Sequence, residues 1–280
     1  DVYKRQNLYL KKMKTNLLKF GEPNSKLKKL AKKLKLKLKT FSLPSGWTCP
    51  GAKECHSRAD RETGKIKDGK HTKFRCFQAS AEAVYPSLRK AVWHNMDLLD
   101  GVLKDIGKKQ KWKAMADLID ASLPKADIYR VHVGGDYFNY DYMIAWCEVA
   151  RRYPDRIFYS YTKSLHLWTK FPSCTDGTRA GIPSNLILTA SRGGHYDSKI
   201  EENAFKCAEV VFSEQEAIDK GLEIDHDDEH AAFGKSSFAL LLHGVQPKGS
   251  EASKALSAIK KKKKEPKSPT QSLAYDLAIL

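Results

Sequence analysis

Ile128-Tyr129-Arg130-Val131-His132-Val133, running directly into Gly134-Gly135-Asp136, is the stretch whose reading fixes the architecture. Its β-branched and aromatic residues suit a pleated strand. Alternation places Arg130 and His132 on one face and Tyr129, Val131 and Val133 on the other. Working outward, strand and helix patterns take turns. Downstream come a helix over Tyr140–Arg152 capped by Asn139, a strand over Ile157–Thr162 and a short helix over Leu165–Lys170. Strands follow over Asn185–Ala190, Ala208–Phe212 and Phe238–Leu242, with a short helix over Glu214–Lys220 ended by Gly221. Upstream, helices are predicted over Gln78–Ile106, broken near Pro86, and over Trp112–Leu123. Leu27, Leu30 and Leu34 keep helical spacing after a cap at Asn24 or Ser25, and the alternation from Leu34 to Lys39 reads as the first strand.

Six strands, mostly separated by helices, predict an α/β chain with a parallel sheet and helical crossovers. In such folds chemistry gathers at the carboxyl ends of the strands. Gly134–Asp136, Thr162-Lys163, Ser191-Arg192, Ser213-Glu214 and His243-Gly244 all stand there.

The 280 residues are 41% apolar, enough to bury a core. The net charge of +17 is carried by the ends. Residues 1–40 hold 14 Lys+Arg against 2 Asp+Glu, residues 248–280 hold 8 against 3, and residues 41–247 hold 28 of each. A neutral body argues against a basic nucleic-acid groove and leaves only weak phosphate contact through basic tails. The longest apolar run, Tyr142–Cys147, is six residues, too short to span a membrane. With no export signal, a cytoplasmic, reducing compartment is expected. Asp1–Gln6 read as translated adapter sequence, which makes residues 1–12 a non-native segment and Met13 the start. One α/β barrel-type domain is expected over 13–247, with a cysteine loop at 44–77 and a basic, flexible tail over 248–280.

That loop carries Cys49, Cys55 and Cys76, with five and then twenty residues between them. In a reducing compartment clustered cysteines point to metal or chemistry rather than disulfides. Three cysteines can hold three irons of a [4Fe–4S] cluster, or zinc with a fourth ligand from His56, His71 or His94. Gly134 and Gly135 permit close approach of the backbone to a ligand, and Asp136 can accept from an amine or hydroxyl. Tyr159, Tyr161 and Lys163 are substrate contacts at a strand end or, for the tyrosines, half-buried sheet residues. Asp225-His226-Asp227-Asp228-Glu229-His230 is a metal site if helical and a solvated acidic loop otherwise. Cys147 and Cys207 read as core thiols, and Cys174 carries no signal.

Phe41-Ser42-Leu43-Pro44-Ser45-Gly46-Trp47-Thr48-Cys49-Pro50-Gly51-Ala52, Phe74-Arg75-Cys76-Phe77 and Val131-His132-Val133-Gly134-Gly135-Asp136-Tyr137-Phe138 resemble the bacteriophage gene product 88 family. So do Tyr161–Leu165, Gly221–Asp228 and His243–Ser250, in order, over most of 41–250. More distantly, the architecture is similar to radical S-adenosylmethionine enzymes, which have a six-stranded (β/α)6 partial barrel. They carry a cysteine loop after the first strand, more tightly spaced than here, and a Gly-Gly-acid motif after the second. That resemblance implies a [4Fe–4S] cluster on Cys49, Cys55 and Cys76. It implies S-adenosylmethionine on Gly134, Gly135, Asp136, Ser191 and Arg192, with His132, Tyr161 and Lys163 meeting the substrate. The alternative is a non-catalytic, zinc-containing phage protein that binds nucleic acid through its basic tails.

Overall fold

A computed structural model of the chain describes residues 16–105, 110–175 and 178–262. The segment expected to be non-native, Met13 and the lysines from 263 onward lie outside these residues. Helix α1 (Ser25–Leu34) starts at Asn24, whose Oδ1 accepts the Leu27 N–H at 3.0 Å. It stops where Lys35 turns left-handed, at φ 53°, and Leu36 N–H closes on the Ala31 carbonyl. The strand expected over 34–39 is therefore shortened and shifted to β1 (Leu38–Thr40), because Leu34 completes the helix.

The cysteine loop contains a hairpin the sequence reading did not foresee, β2 (Ser57–Ala59) and β3 (Ile66–Asp68). Helices α2 (Phe77–Val84), α3 (Pro86–Asp105) and α4 (Lys111–Ser122) follow, with the expected break at Pro86. Then come β4 (Ile128–Val131), α5 (Tyr140–Arg152), β5 (Ile157–Thr162) and α6 (Leu165–Trp168). Next are β6 (Leu186–Ser191), α7 (Ser198–Glu202), β7 (Cys207–Val211), α8 (Glu214–Asp219), α9 (Glu229–Ala232) and β8 (Phe238–Leu241). Residues 248–262, expected as flexible tail, include α10 (Glu251–Lys262), anchored by buried Ala252 and an ion pair from Lys262 to Glu214.

Six strands form one parallel sheet in the order β1-β4-β5-β6-β7-β8, curled into a half-barrel. Chain order equals sheet order, as successive crossovers of one hand require. Gly21 bridges Thr40 at one edge and Ile224 bridges Ala239 at the other, so neither edge is bare.

Alternation sends side chains to two cores. Tyr129, Val131, Phe158, Leu186 and Leu188 pack outward on α4 and α5, where Trp146 and Met115 are fully buried. Ile128, Tyr159 and Phe238 point inward, where α1 and α9 fill one end of the half-barrel through Leu27, Leu30, Ala231 and Ala232. The N-terminal leucines thus have a core role, and the other end of the barrel stays open. The expected pairing of Arg130 and His132 on one strand face does not hold. The strand ends at Val131, and His132 adopts φ 61°, which reverses the pleat. His132 therefore joins the outward set with Tyr137 and Tyr142, and Val133 turns inward.

Candidate functional site

A cavity of about 670 Å³ occupies the open end of the half-barrel. Cys49, Cys55 and Cys76 line it together with Gly134, Gly135 and Asp136. The hairpin explains how. It leaves the loop at Ser57, two residues past Cys55, and returns at Asp68 opposite Ser57. The Cys76 N–H then reaches the Ser57 Oγ at 3.3 Å, and Lys73 and Phe74 donate to the Glu54 carbonyl at 2.8 and 3.2 Å. Twenty residues of sequence are thus folded out of the way, and Cys76 comes back beside Cys55.

All three thiols are pushed up in pKa. Burial is the main cause for each, and they also raise one another: Cys76 acts on Cys49, and Cys55 acts on both. Cys76 is held at about 11 despite N–H donors from Gln78 and Ala79 at the start of α2. Asp136 raises Cys49 further, while Lys163 pulls Cys55 the other way. Neutral thiols make poor nucleophiles. A bound cation would deprotonate them outright.

The two glycines serve packing between protein segments. A Cβ on Gly134 would lie 2.0 Å from Gln78 Cγ on α2. Gly135 has φ 81°, and a Cβ there would lie 2.7 Å from both Leu43 Cβ and Thr48 Oγ1 of the cysteine loop. The loop also seats on the segments that follow β5 and β6, with Ala52 bridging Gly194, and a Cβ on Gly51 would lie 2.0 Å from the Lys163 carbonyl oxygen.

Asp136 joins strand ends. Its Oδ1 accepts from Tyr137 N–H (2.7 Å) and Thr162 Oγ1 (2.6 Å), and its Oδ2 from Lys163 N–H (2.8 Å). A carboxylate has about four acceptor sites, so these three bonds leave one free. The Lys163 ammonium crosses to β6, donating to Ser191 Oγ at 2.8 Å and to the carbonyls of Ser191 and Arg192. Ser191 lines the cavity, whereas Arg192 turns its guanidinium to Glu201 and Glu209.

Among the predicted substrate contacts, Tyr161 and Lys163 line the cavity. His132 also borders it, but its ring lies in the aromatic layer, with Nε2 3.0 Å from Tyr142 Oη and Nδ1 3.4 Å from Ser160 Oγ. Burial first, and Arg130 second, lower its pKa to about 3, so it is neutral. His56, His71 and His94, the histidines offered as a fourth zinc ligand, are not on the cavity wall. Among the described residues, no group of three or more His, Cys, Asp or Glu is arranged to hold a metal ion.

The sequence reading singled out Asp225–His230 but not the cavity floor that this segment helps to build. Asp225 and Asp228 are buried at 4% and 5% exposure, which corrects the solvated-loop reading of 225–230. Asp228 pairs with Lys26 of α1 (2.7 Å) and Arg130 of β4 (3.2 Å), and accepts from Tyr159 and Tyr161 hydroxyls. Burial opposes its charge, but Arg130 and Lys26 outweigh burial and lower its pKa. Arg130 lies 4.1 Å above the Tyr161 ring. Alternation already set Arg130 on the strand face opposite Tyr129 and Val131. Its partner Asp228 lies 98 residues on, in the acidic histidine segment, and nothing local in the sequence pairs the two.

A family model described as Gene product 88 matches residues 10–263. The Gene 88 protein of Mycobacterium phage D29 is 33% identical over 91 residues, 31% of this chain and 38% of that protein. The Gene 88 protein of Mycobacterium phage L5 is 31% identical over 90 residues, again 31% of this chain and 38% of that protein. The chain thus aligns with well under half the length of these relatives. No solved structure matches the chain. Among the described residues no helix is long and apolar enough to cross a membrane.

Proposed function

The chain belongs to the gene product 88 family, and from that premise we propose that it is a radical S-adenosylmethionine-like enzyme with a [4Fe–4S] cluster on Cys49, Cys55 and Cys76. One observation carries this reading. A six-stranded parallel half-barrel brings three cysteines and a Gly-Gly-Asp turn to one cavity at the strand carboxyl ends, although twenty residues separate two of the cysteines.

The residues suit such a group. In a cluster each thiolate binds a different iron, so the sulfurs need to surround a volume rather than converge on one ion. The Gly46 N–H lies 3.3 Å from Cys49 Sγ, and the start of α2 donates to Cys76, so both sulfurs have donors that favour the thiolate. When bound, such a cluster would supply the electron for reductive cleavage of S-adenosylmethionine. Asp136, fixed by Thr162 and Lys163, offers its remaining lone pair to the amine of that cofactor. Ser191 meets the same cavity, and Tyr161 contacts the substrate. Lys163 holds the ends of β5 and β6 together beside Cys55. His132 stiffens the wall through Tyr142 instead of meeting the substrate, and Arg192 acts through its carbonyl on Lys163.

Anaerobic reconstitution with iron and sulfide tests the reading. Broad visible absorbance is expected in the natural chain and not in the triple Cys49→Ala, Cys55→Ala, Cys76→Ala variant. Absorbance that survives the triple substitution, or that never develops, overturns it.

A further inference from the structure

We propose that Arg130 and Asp225 recognise the carboxylate and the ammonium group of an amino-acid-type zwitterion, the substrate class of the cavity. This rests on reading the cavity as an enzyme's substrate chamber, and it concerns the floor, away from the cysteines.

Two buried polar atoms on this floor lack partners among the described residues. Arg130 Nη1 and Asp225 Oδ2 make no hydrogen bond to any of them, although their side chains are only 10% and 0% exposed. Leaving such atoms unsatisfied is costly, and charged ones most of all. Both residues line the cavity, so a ligand seated there is the candidate partner for these atoms. The two atoms are opposite in kind, one a cationic donor and one an anionic acceptor.

Both side chains are otherwise fixed. Arg130 Nε is held by Asp228 at 3.2 Å and its plane by the Tyr161 ring. Asp225 Oδ1 accepts the N–H groups of Asp227 and Asp228 at 2.9 and 2.7 Å. Preorganised groups lose little freedom on binding. Lys26 and Arg130 balance Asp225 and Asp228, so the floor carries no net charge to offset a phosphate. A ligand that brings one charge of each sign keeps that balance. Val133, Val210 and Leu240 give the same cavity an apolar wall for a side chain.

Calorimetric titration of the full chain without iron tests the proposal, using L-leucine, 3-methylbutylamine, 4-methylpentanoate and inorganic phosphate. Leucine is expected to bind at least about tenfold more tightly than either singly charged analogue, the effect of one lost charged hydrogen bond. Asp225→Asn keeps an Oδ1 acceptor for the Asp227 and Asp228 N–H groups, puts an amide donor in place of the free acceptor and removes one negative charge from the floor. It should weaken leucine about tenfold without weakening 4-methylpentanoate. No leucine binding, equal binding of the three organic ligands, or tighter binding of phosphate overturns the proposal. The ligand comparison needs no variant, so a folding defect cannot mask the result. Leucine binding in a chain that takes up no cluster would refute the cofactor reading alone. A cluster without leucine binding would refute the substrate class alone.

Discussion

Glu82 shows how a single side chain holds the cysteine loop to the helix that presents Cys76. It is fully buried on α2, and its Oε1 accepts the N–H and hydroxyl of Ser45 at 3.0 and 2.8 Å. Burial, against the Ser45 bonds and Arg89, raises its pKa to about 7. The fold therefore prefers the protonated acid. Its stabilising contribution is full below the unfolded value near 4.5 and is lost as pH rises through about 7. Glu82→Gln keeps the acceptor for Ser45 and removes the titration. Urea unfolding should show the variant more stable than the natural chain at pH 8, by about 1–3 kcal/mol, with a flatter profile between pH 5 and 7. An unchanged slope would contradict this assignment. Residue identities alone marked Cys49, Cys55, Cys76 and Gly134–Asp136, because thiols and glycines after a strand carry a local signal. They could not mark Glu82, and they marked Asp225 and Asp228 only as members of an acidic histidine segment, because the roles of all three depend on partners distant in sequence.

At the scale of elements, periodicity was informative where one face of an element is buried. Helix α5 and strand β5 match their predicted spans because Trp146 and Phe158 belong to the same outward core. The leucine–lysine segment was harder to place, since its pattern serves a helix end and a strand in succession. The helix reading of Leu27 and Leu30 makes a direct prediction. Leu30 is fully buried between α1 and the inner sheet face, and Leu30→Ala should cost about 2–5 kcal/mol in chemical denaturation. A loss below about 1 kcal/mol would mean that α1 does not plug the half-barrel. The β2–β3 hairpin escaped notice because its strands are three residues each, too short for a period to register. Once seen, it accounts for the long gap before Cys76 that set this chain apart from tighter cysteine loops.

The whole molecule combines a closed lower core with an open upper chamber, and the parallel topology dictates that division. Strand carboxyl ends, the cysteine loop and the charged floor meet there because every crossover returns the chain to the same side. Alternation of strands and helices made this architecture legible in the sequence. The content of the chamber floor was not, since Lys26, Arg130 and Asp228 meet only after the sheet curls. The central claim is that the three cysteines hold one iron–sulfur cluster. Its most direct test is metal and acid-labile sulfide analysis of protein purified anaerobically from cells supplied with both iron and zinc. Iron and sulfide are expected in equal amounts, with iron falling sharply in Cys76→Ala. Stoichiometric zinc without sulfide, or iron indifferent to Cys76, would contradict it.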